Sequence, residues 1–120
     1  MQHIYELPIS FTFDQVIAFG NLTGDNGPVH SVDGVVQGGF ILSMLPKWLM
    51  LVMEQNHINK TPGAVSAILE SKFRNKLQSN HNVIVSFDFE SMGTRLSKIK
   101  WRIFDDEKEY CLGNWIIHKS

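Results

Sequence analysis

Between Gly38 and about Asn56 the sequence is apolar on nearly every side of a helix, through Phe40, Ile41, Leu42, Met44, Leu45, Trp48, Leu49, Met50, Leu51, Val52 and Met53. An amphipathic helix needs one neighbour, whereas a soluble helix that is hydrophobic all round must be buried all round. The rest of this 120-residue chain therefore has to supply the cover. A membrane span is not the explanation. The run from Phe40 to Met53 contains Pro46 and Lys47, and it falls short of the roughly 20 apolar residues needed to cross a bilayer. Pro46 is expected to remove one backbone hydrogen bond and bend the helix. Lys47 is expected to reach solvent at that bend.

The cover is legible as strands. Tyr5, Leu7, Ile9, Phe11 and Phe13 alternate with more polar neighbours, the period of a half-buried strand. Pro8 within that run predicts an edge position or an irregular end. Thr12 and Gln15 form a capping-box pair for a short helix over about Phe13 to Asn21, with Gly20 and Gly24 expected to end it. In the second half, Val65, Ala67, Leu69, Ser71 and Phe73 fall on one face of a strand, and Val83, Val85, Phe87 and Phe89 on one face of the next. Ile99, Trp101 and Ile103 alternate with Lys98, Lys100 and Arg102, and a last strand runs from Tyr110 to His118. Turn residues at Thr61-Pro-Gly, Gln78-Ser-Asn-His-Asn and Asp105-Asp-Glu-Lys separate them. Consecutive strands joined by short turns give an antiparallel sheet. The expected architecture is α+β: one domain over residues 1–120, its antiparallel sheet wrapped around a long buried central helix. A second copy is expected to cover the helix side the sheet leaves open, making a homodimer.

Charge and composition exclude several functions. Eleven Lys and Arg against 12 Asp and Glu leave a net charge of -1, so no basic surplus exists to hold a phosphate backbone and nucleic acid is not an expected partner. Cys111 is the only cysteine, which rules out an intrachain disulfide and a thiolate zinc cluster. It reads as a small buried residue rather than a nucleophile. The first residues lack a basic start followed by an apolar run, so no signal peptide is expected. With no membrane span and a single thiol, the expected location is cytoplasmic.

From Gly24 to Gln37 the chain is rich in Gly, Asn, Asp, Ser and Pro, and loops of this length are often functional. Within and just before it, Phe19-Gly-Asn-Leu-Thr-Gly-Asp-Asn-Gly-Pro-Val-His30 resembles the hydratase-2 motif of the MaoC-like dehydratases, the group that includes the (R)-specific enoyl-CoA hydratases. Thr23, Gly24, Asp25, Pro28, Val29 and His30 match that motif in type and spacing. Val35-Val-Gln-Gly-Gly-Phe-Ile-Leu-Ser-Met-Leu resembles the family's segment that opens the central helix, and Ser71-Lys-Phe-Arg with the strands after it resembles its C-terminal half. Three departures stand out. Gly27 occupies the place of the family's Asn, with Asn26 one position earlier. Gln37 replaces its His before the helix glycine. The connection from His30 to Gly38 is shorter than in family members.

The resemblance implies the hot dog fold and reversible hydration of a trans-2-enoyl thioester, enoyl-CoA to (R)-3-hydroxyacyl-CoA. A base must activate water for attack at C3, a proton must reach C2, and enolate charge on the thioester oxygen must be stabilised. By resemblance Asp25 and His30 hold that water between them, with Asp25 as base and His30 orienting the water. The first N–H groups of a helix lack internal partners and carry partial positive charge. The Gly38 N–H is thus implied as oxyanion donor, and Asn26, Gln37 and Gly39 as substrate contacts. No cofactor is implied beyond the CoA or acyl-carrier thioester that is the substrate. Asp25, His30 and Asp33 lack the spacing of a metal site. Lys72, Arg74 and Lys76 could meet the phosphates of CoA or a carrier, although such charges commonly just solvate a strand. His3, His57, His81 and His118 read as surface or strand-end residues.

Two alternatives stay open. Gly34-Val-Val-Gln-Gly-Gly-Phe also resembles the helix start of hot dog acyl-CoA thioesterases, but no Asp or Glu follows between Gly38 and Met53, where those enzymes carry an acid. A non-catalytic acyl-binding hot dog protein is the other.

Overall fold

The computed structural model describes residues 3–57, 62–91 and 96–119. Strand β1 (His3–Ile9) leads into helices α1 (Phe13–Thr23), α2 (Pro28–Ser31) and α3 (Gly38–Gln55), followed by strands β2 (Pro62–Phe73), β3 (Val83–Ser91), β4 (Leu96–Phe104) and β5 (Glu109–Lys119). The five strands form one sheet in the order β1-β3-β4-β5-β2, every neighbouring pair antiparallel. β1 lies at one edge, so Pro8 faces a partner on one side only, as its missing N–H requires.

The clean alternations become the sheet's inner face. Val85, Phe87, Ile99, Trp101, Ile103 and Cys111 are fully buried against α3, whose Ile41, Leu45, Leu49 and Val52 complete the core. Burial pushes the Cys111 thiol up to about 12, and nearby Glu109 adds to the shift, so the cysteine packs and does not react. Gly113 is small because Trp101 lies across it: a Cβ there would stand 2.5 Å from Trp101 Cζ2 and closer still to the Glu70 carbonyl.

The sheet leaves one flank of α3 open, as expected: Ser43, Pro46, Lys47 and Glu54 are exposed and Met50 is 52% exposed. A second flank is closed by Phe11, whose ring lies 4.8 Å from Phe40 and 5.6 Å from Trp48. Three expectations need correction. First, the first strand stops at Ile9; Phe11 is buried beyond it, and Phe13 opens α1 through the Thr12–Gln15 capping box. Second, Gly20 lies buried inside α1, which continues to Thr23, and only Gly24 (φ 83°) ends the helix. Third, β2 does not pair in one unbroken register. Shifts place Ala67 opposite Ile116 and Ile68 opposite Trp115, while Ser71 and Phe73 stay opposite Gly113 and Cys111.

The β4–β5 turn is tied to the chain entering β3. Asp105 Oδ1 accepts from the N–H groups of Glu107 and Lys108, both at 2.8 Å. Its Oδ2 takes the Tyr110 hydroxyl at 2.5 Å and His81 Nε2 at 2.7 Å. No helix among the described residues is long and apolar enough to cross a membrane.

Candidate active site

The loop that bears Asp25 is shaped by the end of α1. Gly24 adopts the left-handed conformation that L side chains disfavour, and its N–H donates to the Gly20 carbonyl at 2.8 Å. The chain then folds back so tightly that a Cβ on Gly20 would stand 3.0 Å from the Asp25 carbonyl. Thr23 Oγ1 donates to the Phe19 carbonyl at 2.7 Å and accepts from the Asp25 N–H at 3.3 Å. Asp25 is thereby presented outward, its side chain 54% exposed.

His30 is presented by α2. Pro28 sits in its first turn, where a missing N–H costs nothing. The His30 and Ser31 N–H groups both donate to the Gly27 carbonyl at 2.9 Å. This places His30 Nε2 3.4 Å from Asp25 Oδ1, with the imidazole 17% exposed. On its other side His30 Nδ1 lies 2.7 Å from the Val35 carbonyl. A carbonyl only accepts, so Nδ1 carries the proton. In the neutral ring Nε2 is then an acceptor facing a carboxylate; at 3.4 Å no water fits between them, and a water resting against both can donate one hydrogen to each.

Gln37 precedes α3 and is fully buried. Its Nε2 donates to the Val16 carbonyl at 2.9 Å and the Asp25 carbonyl at 3.1 Å, so this nitrogen faces the backbone of α1 and of the loop rather than open space. No side chain caps α3, which leaves the N–H groups of its first turn available. Gly39 is exposed, with the Phe19 ring 3.6 Å from where a Cβ would be. Asn26 is exposed beside Gly20. Gly38 lies under Phe73, whose ring atoms would stand 3.1–3.5 Å from a Cβ there.

A cavity of about 410 Å³ opens beside Gly38. Val35, Val36, Ile41, Leu77 and Phe73 give it apolar walls, and Arg74, Asn75 and Lys76 a polar side. Asp25 and His30 stand outside this lining, joined to it through the Val35 carbonyl. Arg74 lies 3.7 Å from Glu109, which Arg102 also engages, whereas Lys76 has no ion pair among the described residues. Asp33 is exposed and His57 likewise; the side chains of His3 and His118 lie outside the described residues. Among the described residues no cluster of His, Cys, Asp or Glu is arranged to hold a metal.

Residue type does not mark the Val35 carbonyl or the Phe73 ring as parts of this site: a backbone oxygen leaves no trace in the sequence, and Phe73 falls in the pattern of an ordinary strand face. Gly20 reads in the sequence as a helix end.

No protein-family model and no curated protein matches the chain. Solved structures do. The (R)-hydratase from A. caviae involved in PHA biosynthesis is 16% identical, with 96% of this chain and 92% of that one aligned at a TM-score of 0.70. R-hydratase PhaJ1 from Pseudomonas aeruginosa is also 16% identical, over 99% and 81% of the two chains, TM-score 0.67. A mutant of the fluoroacetyl-CoA-specific thioesterase FlK is 13% identical, over 98% and 85%, TM-score 0.70. The chain has the hot dog fold, which these hydratases and thioesterases share.

Proposed function

We propose that this protein is a hydratase/dehydratase that adds water reversibly to a trans-2-enoyl thioester of CoA or of an acyl carrier. One observation carries the reading. His30 Nδ1 is committed to the Val35 carbonyl, which turns Nε2 toward Asp25 Oδ1 at 3.4 Å, beside the uncapped start of α3.

A water resting against both acceptors loses a proton to Asp25 as its oxygen attacks C3 and becomes the C3 hydroxyl. His30 keeps the attacking lone pair aimed, and the proton that Asp25 took up is then delivered to C2 of the enolate. Charge that develops on the thioester oxygen is met by the Gly38 N–H, a type of contact worth about 2.7–4 kcal/mol in the transition state. Gly39 keeps that approach open, and Gln37 acts by fixing the Asp25 backbone rather than by touching substrate. Asp25 is more than half exposed, so a second copy closing over it and over the bare flank of α3 would exclude bulk water; we assign the active form as a homodimer.

Thioester hydrolysis is the second reading, supported by the thioesterase among the similar structures. The absence of an acidic residue in α3 before Glu54 counts against it.

Purified protein incubated with a short trans-2-enoyl-CoA separates these readings. Loss of the conjugated enoyl absorbance without thiol release is expected; thiol release establishes hydrolysis instead. Asp25→Asn should lower the hydration rate by about 100-fold or more while the circular dichroism spectrum stays unchanged. A fully active Asp25→Asn protein removes Asp25 from the mechanism.

A further inference from the structure

We infer that Phe73 is a specificity-determining residue of this site, the wall that limits which acyl chains can occupy the cavity beside Gly38. The inference rests on the thioester reading above and deepens it.

Phe73 is the last residue of β2, opposite Cys111 on the inner face of the sheet. A Phe at such a position ordinarily disappears into the core, as Phe87 on β3 of the same sheet does. Phe73 instead stays 50% exposed. Leaving an aromatic ring that far out forgoes part of the stabilisation that full burial provides. The ring is not idle, because it lies across Gly38 and is, among the described residues, the one aromatic side chain lining the cavity.

That contact also explains the residue at position 38. A Cβ there would stand 3.1 Å from Phe73 Cζ and 3.2 Å from Cε1, so glycine is what lets the ring sit over the start of the helix. A thioester whose oxygen is held at the Gly38 N–H begins its acyl chain within a few bonds of this ring. Beyond it the walls are the aliphatic Val35, Val36, Ile41 and Leu77. Short chains fit alongside the ring, and longer ones compete with it for the same space.

The test uses binding, so it does not depend on turnover. Butanoyl-CoA, octanoyl-CoA and dodecanoyl-CoA are saturated and cannot be hydrated. Their affinities for the wild-type protein, Phe73→Ala and Phe73→Leu are measured by calorimetry. Phe73→Ala should raise the octanoyl-to-butanoyl affinity ratio by about tenfold or more, the scale of discrimination that hydrophobic pocket contacts supply. Phe73→Leu, which keeps apolar cover if the alanine variant folds poorly, should shift the ratio in the same direction by less. Unchanged ratios in both variants overturn the inference, as does a uniform loss at every chain length that accompanies an altered oligomeric state, since that assigns Phe73 to an interface. Hydration with unmoved ratios sinks the inference alone. Shifted ratios without hydration by the wild type sink the hydratase reading alone. No binding of any chain overturns both.

Discussion

Gln37 Nε2 lies 3.1 Å from the backbone oxygen of Asp25, so the residue just before the central helix fixes the loop that presents the carboxylate. The same nitrogen donates to Val16 at 2.9 Å, joining α1, the loop and α3 at one buried point.

Replacing Gln37 with Met keeps the volume and removes both hydrogen bonds, the one to the Asp25 carbonyl and the one to the helical Val16 carbonyl. The variant should lose about 1–3 kcal/mol of stability, read as a lower urea midpoint. Hydration by the folded fraction should fall as well, because Asp25 loses its backbone anchor. An unchanged midpoint would show that the bonds carry no net weight.

The Val35 carbonyl dictates the proton position on His30. In the neutral ring the hydrogen belongs on Nδ1, leaving Nε2 free toward Asp25. Long-range proton–nitrogen correlation spectra of the imidazole at alkaline pH should report the Nδ1–H form. An Nε2–H form would mean that the ring donates to Asp25, and the water proposed to donate to both would lose one of its acceptors.

Acid should act through Asp105. The Tyr110 hydroxyl above all, then His81 and the Glu107 and Lys108 N–H groups, hold its carboxyl well below the ordinary value of 3.8. A folded value below the unfolded one gives stability that is present above 3.8 and is lost as the pH falls further. Asp105→Asn should therefore lower the urea midpoint at neutral pH and flatten its decline in acid. Parallel curves for the two proteins would show that the turn does not couple to folding. The alkaline side runs the other way. Burial, reinforced by Asp105, pushes Tyr110 from 10.0 up to about 12, so its contribution is present below 10.0 and is lost as the pH rises toward about 12.

Much of the frame was legible because it is written in local periods. The alternations at Val83–Phe89 and Ile99–Ile103 can bury one side only as strands, and they do. The Thr12–Gln15 pair caps α1 as its spacing requires. Asp25 and His30 are close in sequence with a proline turn between them, so their approach to 3.4 Å is also a short-range matter. The register of β2 was not legible, because its bulges depend on the ladder it makes with β5.

What the sequence determined by itself is therefore a sheet, a long apolar helix and one Asp–His pair, all fixed by side-chain periods and turn chemistry within a few residues of one another. Only the tertiary structure decided that Gln37 turns inward to Val16 and Asp25, and that Phe73 comes to rest on Gly38. Those outcomes depend on which surfaces meet once the sheet has curled around the helix. That choice is made by packing between segments far apart in the chain, and no local pattern encodes it.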